Sequence, residues 1–220
     1  MAVSFTEKVK TLFKLILKPK ELSTLLSLRH TGFLIDKGWF NAFNLGKPVD
    51  TSFKPIPWFT YSFIDFLETR LRGKIKLLEF GSGNSTLYFS ERVEQIVSIE
   101  HDLNWFNKLG KQIPKNVDLI LSKSETAKNY ISSATDLKIV FDIIVIDGIY
   151  RNECCKEATE MLSNIGVIIL DDSERKEYQE GINHILSEGF KRLDFWGISA
   201  GYLYRKATSV FYRSSNCLNI

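Results

Sequence analysis

The sequence predicts an α/β protein built on a mostly parallel β-sheet with helices on both faces. Three observations predict it. From residue 75 onward, short apolar runs alternate with segments of helical spacing. The runs are nearly continuous in apolar residues rather than alternating, as strands covered on both faces are. Glycines and carboxylates then cluster where the runs end, which in such sheets is the edge that binds ligands.

The elements follow in order. Ser4-Phe5-Thr6-Glu7 has capping-box spacing, with Ser4 as N-cap and Glu7 three residues on. Phe5, Val9, Leu12, Phe13 and Ile16 recur at helical spacing, Lys10, Lys14 and Lys18 fall on another face, and Pro19 stops the helix. Such a basic amphipathic helix either docks its apolar face on the domain or contacts an anionic membrane surface or a partner through residues 4–18. Residues 33–66 carry ten aromatics, interrupted by Pro48, Pro55 and Pro57. Thr60 can cap a helix to about Arg72, with Gly73 as its stop and Phe63, Phe66, Leu67 and Leu71 toward a core. Trp58 and Tyr61 stand at the loop-to-helix junction and are the aromatic candidates for a substrate pocket.

Beyond position 73 the strands are Ile75–Phe80, Gln95–Ile99, Asp118–Leu121, Phe141–Ile146, Val167–Leu170, Lys191–Phe195 and Ser209–Tyr212. Helices fit between them at Ser85–Glu91, Leu103–Gln112, Glu125–Ser133, Arg151–Leu162 and Arg175–Ser187. The expected division is a helical, aromatic cap over 1–73 and a ligand-binding domain over 74–220.

Composition removes several classes. The 220 residues are 44% hydrophobic and 25% charged, which excludes disorder, collagen and coiled coil. No apolar run approaches the roughly 20 residues of a membrane-spanning helix, and no signal-peptide pattern is present at the start. Three cysteines, two of them adjacent, form neither a disulfide framework nor a zinc spacing, so a reducing cytoplasm is the expected compartment. The net charge of +3 does not argue for nucleic acid. It conceals a split: residues 1–73 hold 11 Lys/Arg and 6 Asp/Glu, whereas residues 74–220 hold 18 and 20.

The chemistry-bearing motif is Leu77-Leu78-Glu79-Phe80-Gly81-Ser82-Gly83-Asn84-Ser85-Thr86, a strand running through glycines into a helix N-terminus. Glycines permit a sharp turn and close approach of a ligand to the main chain. A dinucleotide fingerprint needs glycine at 86, where Thr86 stands. Glu100 closes the second strand and can accept from both hydroxyls of a ribose. Asp147, Asp171 and Asp172 close strands four and five; together they require protonation, hydrogen bonds or a cation. Tyr150 and Arg151 open the following helix, the first able to hydrogen-bond or stack on a substrate, the second able to clamp an anion.

With LLEFGSGNST, SIEHD, FDIIVIDG and GVIILDD in these positions, the chain resembles the class I, Rossmann-like, S-adenosylmethionine-dependent methyltransferases. The resemblance implies a doubly wound, seven-stranded sheet whose last strand is antiparallel. It implies S-adenosylmethionine with its methionine part over Glu79–Gly83, its ribose on Glu100, and its adenine between Glu100-His101 and Ser122. Gly81, Ser82, Gly83, Asn84, Ser85 and Thr86 are then cofactor-binding candidates; Asp147 and Asp171, with Tyr150 and Arg151, are the catalytic candidates, and Asp147 can instead hold the cofactor's amino end. The carboxylate trio looks like that of catechol and caffeoyl-coenzyme A O-methyltransferases, which hold a divalent cation such as Mg²⁺ after strands four and five; Asp172 stands where those have Asn. The alternative is that Asp171 and Asp172 cap the next helix. The expected activity is O-methylation of a small or lipid- or glycan-linked hydroxyl, with no nucleic-acid partner. The alternatives are a methyltransferase of RNA or protein, and a non-catalytic S-adenosylmethionine-binding domain.

Overall fold

The computed structural model describes residues 4–71, 73–122 and 125–220. Five helices come first: α1 (Phe5–Ile16), α2 (Pro19–Ser27), α3 (Phe33–Asp36), α4 (Trp39–Leu45) and α5 (Tyr61–Glu68). Alternation then begins with β1 (Lys76–Phe80), α6 (Asn84–Ser90), β2 (Gln95–Glu100), α7 (Leu103–Leu109), β3 (Val117–Leu121), α8 (Ala127–Thr135), β4 (Phe141–Ile146) and α9 (Arg151–Met161). It ends with β5 (Leu162–Asp171), a 3₁₀ turn at Lys176–Tyr178, α10 (Gln179–Ser187), β6 (Lys191–Gly197) and β7 (Lys206–Tyr212).

The strands form one sheet in the order β3-β2-β1-β4-β5-β7-β6. All pairings from β3 through β5 are parallel, and β7 runs antiparallel to both β5 and β6. The strand order reverses between β1 and β4, so a crevice opens beyond their carboxyl ends. The period-2 geometry of each strand sends its side chains to two cores. Leu77, Ile143 and Val145 enter one core; Leu78, Phe80, Ile144 and Ile146 enter the other. This explains the unbroken apolar runs. Cys154 and Cys155 lie in the second core, unpaired, where burial pushes the Cys155 thiol up to about 12.

The N-terminal residues behave in two ways. Trp39, Val49, Ile56, Phe59, Phe63 and Leu67 pack in the same core as β1 and β4. By contrast, α1 and α2 bury no residue. Ser4 does form the capping box with Glu7, and Pro19 is the first residue of α2 rather than a plain stop. Thr60 occupies the N-cap position of α5 without capping it; its hydroxyl donates instead to Phe195 O at 3.0 Å. Arg72 lies outside the described residues.

Two strands are longer than their apolar runs. β5 starts at Leu162, which pairs with Phe141 across an irregularity before the regular ladder resumes at Ile143–Val167. β7 starts at Lys206, three residues before the Ser209 that the sequence offered, because its polar Lys206 and Thr208 escape an apolar-run criterion although both are buried. The strand's hydroxyls find partners in carboxylates: Thr208 donates to Asp171 and Ser209 to Asp194.

Candidate active site

Beyond the carboxyl ends of β1, β2 and β4 lies a cleft of about 670 Å³. Gly81, Ser82, Gly83, Asn84 and Ser85 line it, with Glu100, His101, Asp147 and Trp58. The turn after β1 is formed by backbone proximity. Gly81 has φ +96°, and a Cβ there would lie 2.6 Å from Gly148 Cα. Both φ and space demand glycine. Gly81→Val is therefore expected to abolish the native fold of the turn, with at least about 1–2 kcal/mol lost to the left-handed conformation alone; a thermal melt matching wild type would refute this.

Glu79 lies beneath the turn, fully buried. Its Oε2 accepts from Ser98 Oγ at 2.8 Å and from Thr86 Oγ1, while its Oε1 has no hydrogen-bond partner among the described residues. Burial pushes the Glu79 carboxyl up to about 7, against the hydroxyl hydrogen bonds that favour its charge. Thr86 also accepts from Gly83 N at 2.9 Å. Position 86 thus ties the strand to the turn and is buried below the cleft wall, not on it.

Glu100 is held rigidly at the other side. Its Oε1 accepts from the N–H groups of His101 and Asp102, both at 2.8 Å, and its Oε2 from Ser82 N at 3.1 Å. Both lone pairs of Oε1 are thereby taken, and Oε2 keeps one for a ligand hydroxyl. His101 Nδ1 stands 3.1 Å from Glu100 Oε1. Asp102 caps α7 by accepting from Trp105 N, and the Trp105 indole N–H donates to Ser82 O at 2.8 Å.

Trp105, Lys108 and the Gly46-Lys47-Pro48 segment also line the cleft, and sequence reasoning missed them. The signal for Trp105 was its place three residues after an N-cap at a strand end. The Gly46–Pro48 wall had none, because a tertiary bond, Asn84 Nδ2 to Pro48 O at 2.7 Å, sets it in place. Ser122 is buried, donates its N–H to Glu100 O at 2.7 Å, and does not line the cleft. Trp58 is a wall of the cleft, with its indole N–H on Ala200 O. Tyr61 is corrected from pocket to core: it is buried against the sheet, edge-on to Phe33, and does not line the cleft.

The carboxylate trio is neutralised by the protein's own cations. Lys206 Nζ lies 2.5 Å from Asp171 Oδ2 and 2.7 Å from Asp172 Oδ1. Asp172 Oδ2 meets Arg175 at 2.6 Å, and Asp147 Oδ1 meets Arg151 at 2.9 Å. Burial and Asp147 push the Asp171 carboxyl up to about 7, whereas Asp171 and Asp172 hold the Lys206 ammonium above its usual range despite its burial. Among the described residues no group of three or more His, Cys, Asp or Glu could hold a metal ion. The expectation of a divalent cation on Asp147, Asp171 and Asp172 is thus corrected: the lysine ammonium already bridges Asp171 and Asp172, Arg175 adds to Asp172, and Arg151 pairs with Asp147.

Arg151 and Tyr150 are likewise internal. Arg151 donates to the carbonyls of Asp147, Gly148 and Asp171, which uses the guanidinium to hold the ends of β4 and β5 together rather than to clamp an anion. The Tyr150 hydroxyl donates to Glu125 O at 2.9 Å, and its ring packs on Tyr130, away from the cleft lining. Asp147 remains the one member of the trio on the cleft wall. Burial raises its carboxyl, with Arg151 and Lys206 opposing.

No protein-family model matches the sequence, and no curated protein does. Solved structures do match. A precorrin-6y C5,15-methyltransferase from Geobacter metallireducens is 15% identical, with 68% of this chain and 86% of that one covered, at a TM-score of 0.52. A methyltransferase from Pyrococcus furiosus is 21% identical over 69% and 81%, also at 0.52. The fibrillarin pre-rRNA processing protein of Methanococcus jannaschii is 16% identical over 67% and 69%, at the same score. Strand order, the reversed β7 and these neighbours agree: the chain has the Rossmann-like fold of the class I S-adenosylmethionine-dependent methyltransferases.

Proposed function

We propose that this chain is an S-adenosylmethionine-dependent O-methyltransferase acting on a small or lipid- or glycan-linked hydroxyl. The observation that carries the proposal is the cleft itself, with a side-chain-free floor at Gly81 and a backbone-clamped Glu100 on one wall. The residues fit the cofactor. The bare backbone of Gly81 and Gly148 on the cleft lining lets a ligand approach the main chain closely, and the Glu79 carboxyl beneath the turn, once ionised, suits a cationic methionine end. Glu100 Oε2 would accept from a ribose hydroxyl, and the Trp105 face would take the adenine side.

S-adenosylmethionine, when bound, supplies an electrophilic methyl on a positively charged sulfur. This chain's residues must align the acceptor, exclude water and take its proton. Asp147 is the candidate proton acceptor, since its raised carboxyl is a better base than an ordinary aspartate and it faces the cleft. Trp58 offers a surface for the acceptor, and Tyr202 and Tyr204 continue the aromatic row outward at ring spacings of 5.8 and 5.2 Å. This row suits a ring-bearing or apolar acceptor. The three unpaired cysteines accord with the cytoplasmic location proposed alongside.

Calorimetry of the purified chain with S-adenosylmethionine and S-adenosylhomocysteine tests this. Both are expected to bind, and Glu100→Gln to weaken both at least about tenfold, one lost charge-assisted hydrogen bond. Absence of binding to wild type, or unchanged binding to the variant, would overturn the assignment.

A further inference from the structure

The cleft leaves α1 and α2 unexplained. Neither buries a residue, yet both are strongly apolar on one side. Phe5 is 82% exposed, Phe13 67% and Leu17 83%, and Leu12, Ile16, Leu25 and Leu26 are exposed as well. A folded chain gains nothing by presenting such a strip to water. At 100° per residue, Phe5, Leu12, Phe13 and Ile16 share one face of α1, Lys10 and Lys14 the opposite one, and Lys8 a flank. Residues 4–21 hold five lysines and two glutamates. Both glutamates are engaged locally, Glu7 in the Ser4 capping box and Glu21 on Lys18 at 2.6 Å.

We propose that α1 and α2 form a peripheral docking surface for an anionic lipid bilayer, lying in the plane of its interface. This does not depend on the methyltransferase reading. Charge decides the occupant. A second copy of the chain would bring one net +3 surface against another, whereas an anionic interface complements both sides of the helix pair. Acyl chains receive Phe5, Leu12, Phe13 and Ile16, and headgroup phosphates receive the lysines, whose long stems reach along the helix surface. The helices lie on the membrane rather than in it. At 1.5 Å per residue α1 spans only about 18 Å, and no helix among the described residues is long and apolar enough to cross a membrane.

The test is co-sedimentation of the full chain with vesicles of phosphatidylglycerol and phosphatidylcholine in equal parts, and with phosphatidylcholine alone. Wild type is expected to sediment with the anionic vesicles only, and to be released at about 0.5 M NaCl, where the Debye length is only a few ångströms. Phe5→Asp/Phe13→Asp should bind at least tenfold less. Both side chains are exposed, so this variant should keep the wild-type melting temperature. Lys10→Glu/Lys14→Glu should fail likewise while retaining the apolar face. Equal binding to both vesicle types, no binding by wild type, or unimpaired binding by either variant overturns the proposal. Wild-type self-association without lipid that the Phe variant abolishes would assign the face to a second copy, and overturns it too.

Discussion

Replacing Lys206 with methionine is expected to destabilise the protein by about 3–5 kcal/mol at neutral pH, the usual result of removing one partner from a buried ion pair. Methionine keeps the length and volume of the stem, so packing is not the issue. The ammonium is buried and touches Asp171, Asp172 and the Trp58 carbonyl, at 2.5, 2.7 and 3.2 Å. Without it the Asp171 carboxylate keeps, among the described residues, the Thr208 hydroxyl at 2.7 Å. For a chain of this size such a loss lowers the melting temperature by roughly 10 °C.

The pH dependence identifies the cause. Asp171 sits at about 7 with Lys206 present, raised by burial and by Asp147. Removal of the ammonium takes away an opposing influence and moves the carboxyl higher still. A carboxyl raised in the folded state keeps its proton when the unfolded chain has released it. Stability then falls as pH rises from the unfolded value through the folded one. The deficit of Lys206→Met is therefore expected to shrink toward pH 5 and to be largest above pH 7. Asp171→Asn added to Lys206→Met should recover part of it by removing the orphaned charge. Thermal melts from pH 5 to 8 decide this; a deficit that does not change with pH would mean that packing, and not charge, is what Lys206 supplies.

The same residue marks the limit of what could be read from the chain. Strands β1 and β4 were legible because both of their faces are buried, so their composition alone carried the signal. The turn at Gly81 was legible because its backbone constraint is local. Glu100 was legible for a similar reason, since its N–H partners are its own neighbours and Ser82 in the turn. Lys206 lies 35 residues beyond Asp171, on a strand pairing antiparallel to the one that Asp171 closes. No spacing rule connects them. Viewed without β7, three strand-end carboxylates call for a cation, and the inference errs only in looking for that cation outside the chain. Tyr61 failed differently: helical position placed it near the cleft, but which side of α5 faces the sheet is set by packing of Phe63, Ile64 and Leu67.

Glu79→Gln is expected to remove a pH dependence worth about 3 kcal/mol from the stability of the ligand-free protein. Burial holds the Glu79 carboxyl at about 7, against an ordinary 4.5. Between those values the unfolded chain is ionised and the folded chain still carries the proton, so wild-type stability falls with rising pH across that window. Glutamine has no proton to lose, and its melting temperature should be flatter by that amount from pH 4.5 to 7. The variant's absolute stability is a separate matter, because its amide N–H groups would meet the site where Oε1 has no hydrogen-bond partner among the described residues. Only the difference in slope is diagnostic.

The same carboxyl couples stability to binding under the proposed function. A cationic ligand end above the turn favours ionised Glu79, so binding should expel its proton at pH 6 and expel almost none at pH 8. Affinity for S-adenosylmethionine is then expected to rise as pH rises through about 7 in wild type and to stay level in Glu79→Gln. Calorimetry in two buffers of different ionisation enthalpy counts the released protons directly. Proton release that is equal in wild type and variant would place the linkage on another group, with Asp147, a raised carboxyl on the cleft wall, next to be tested.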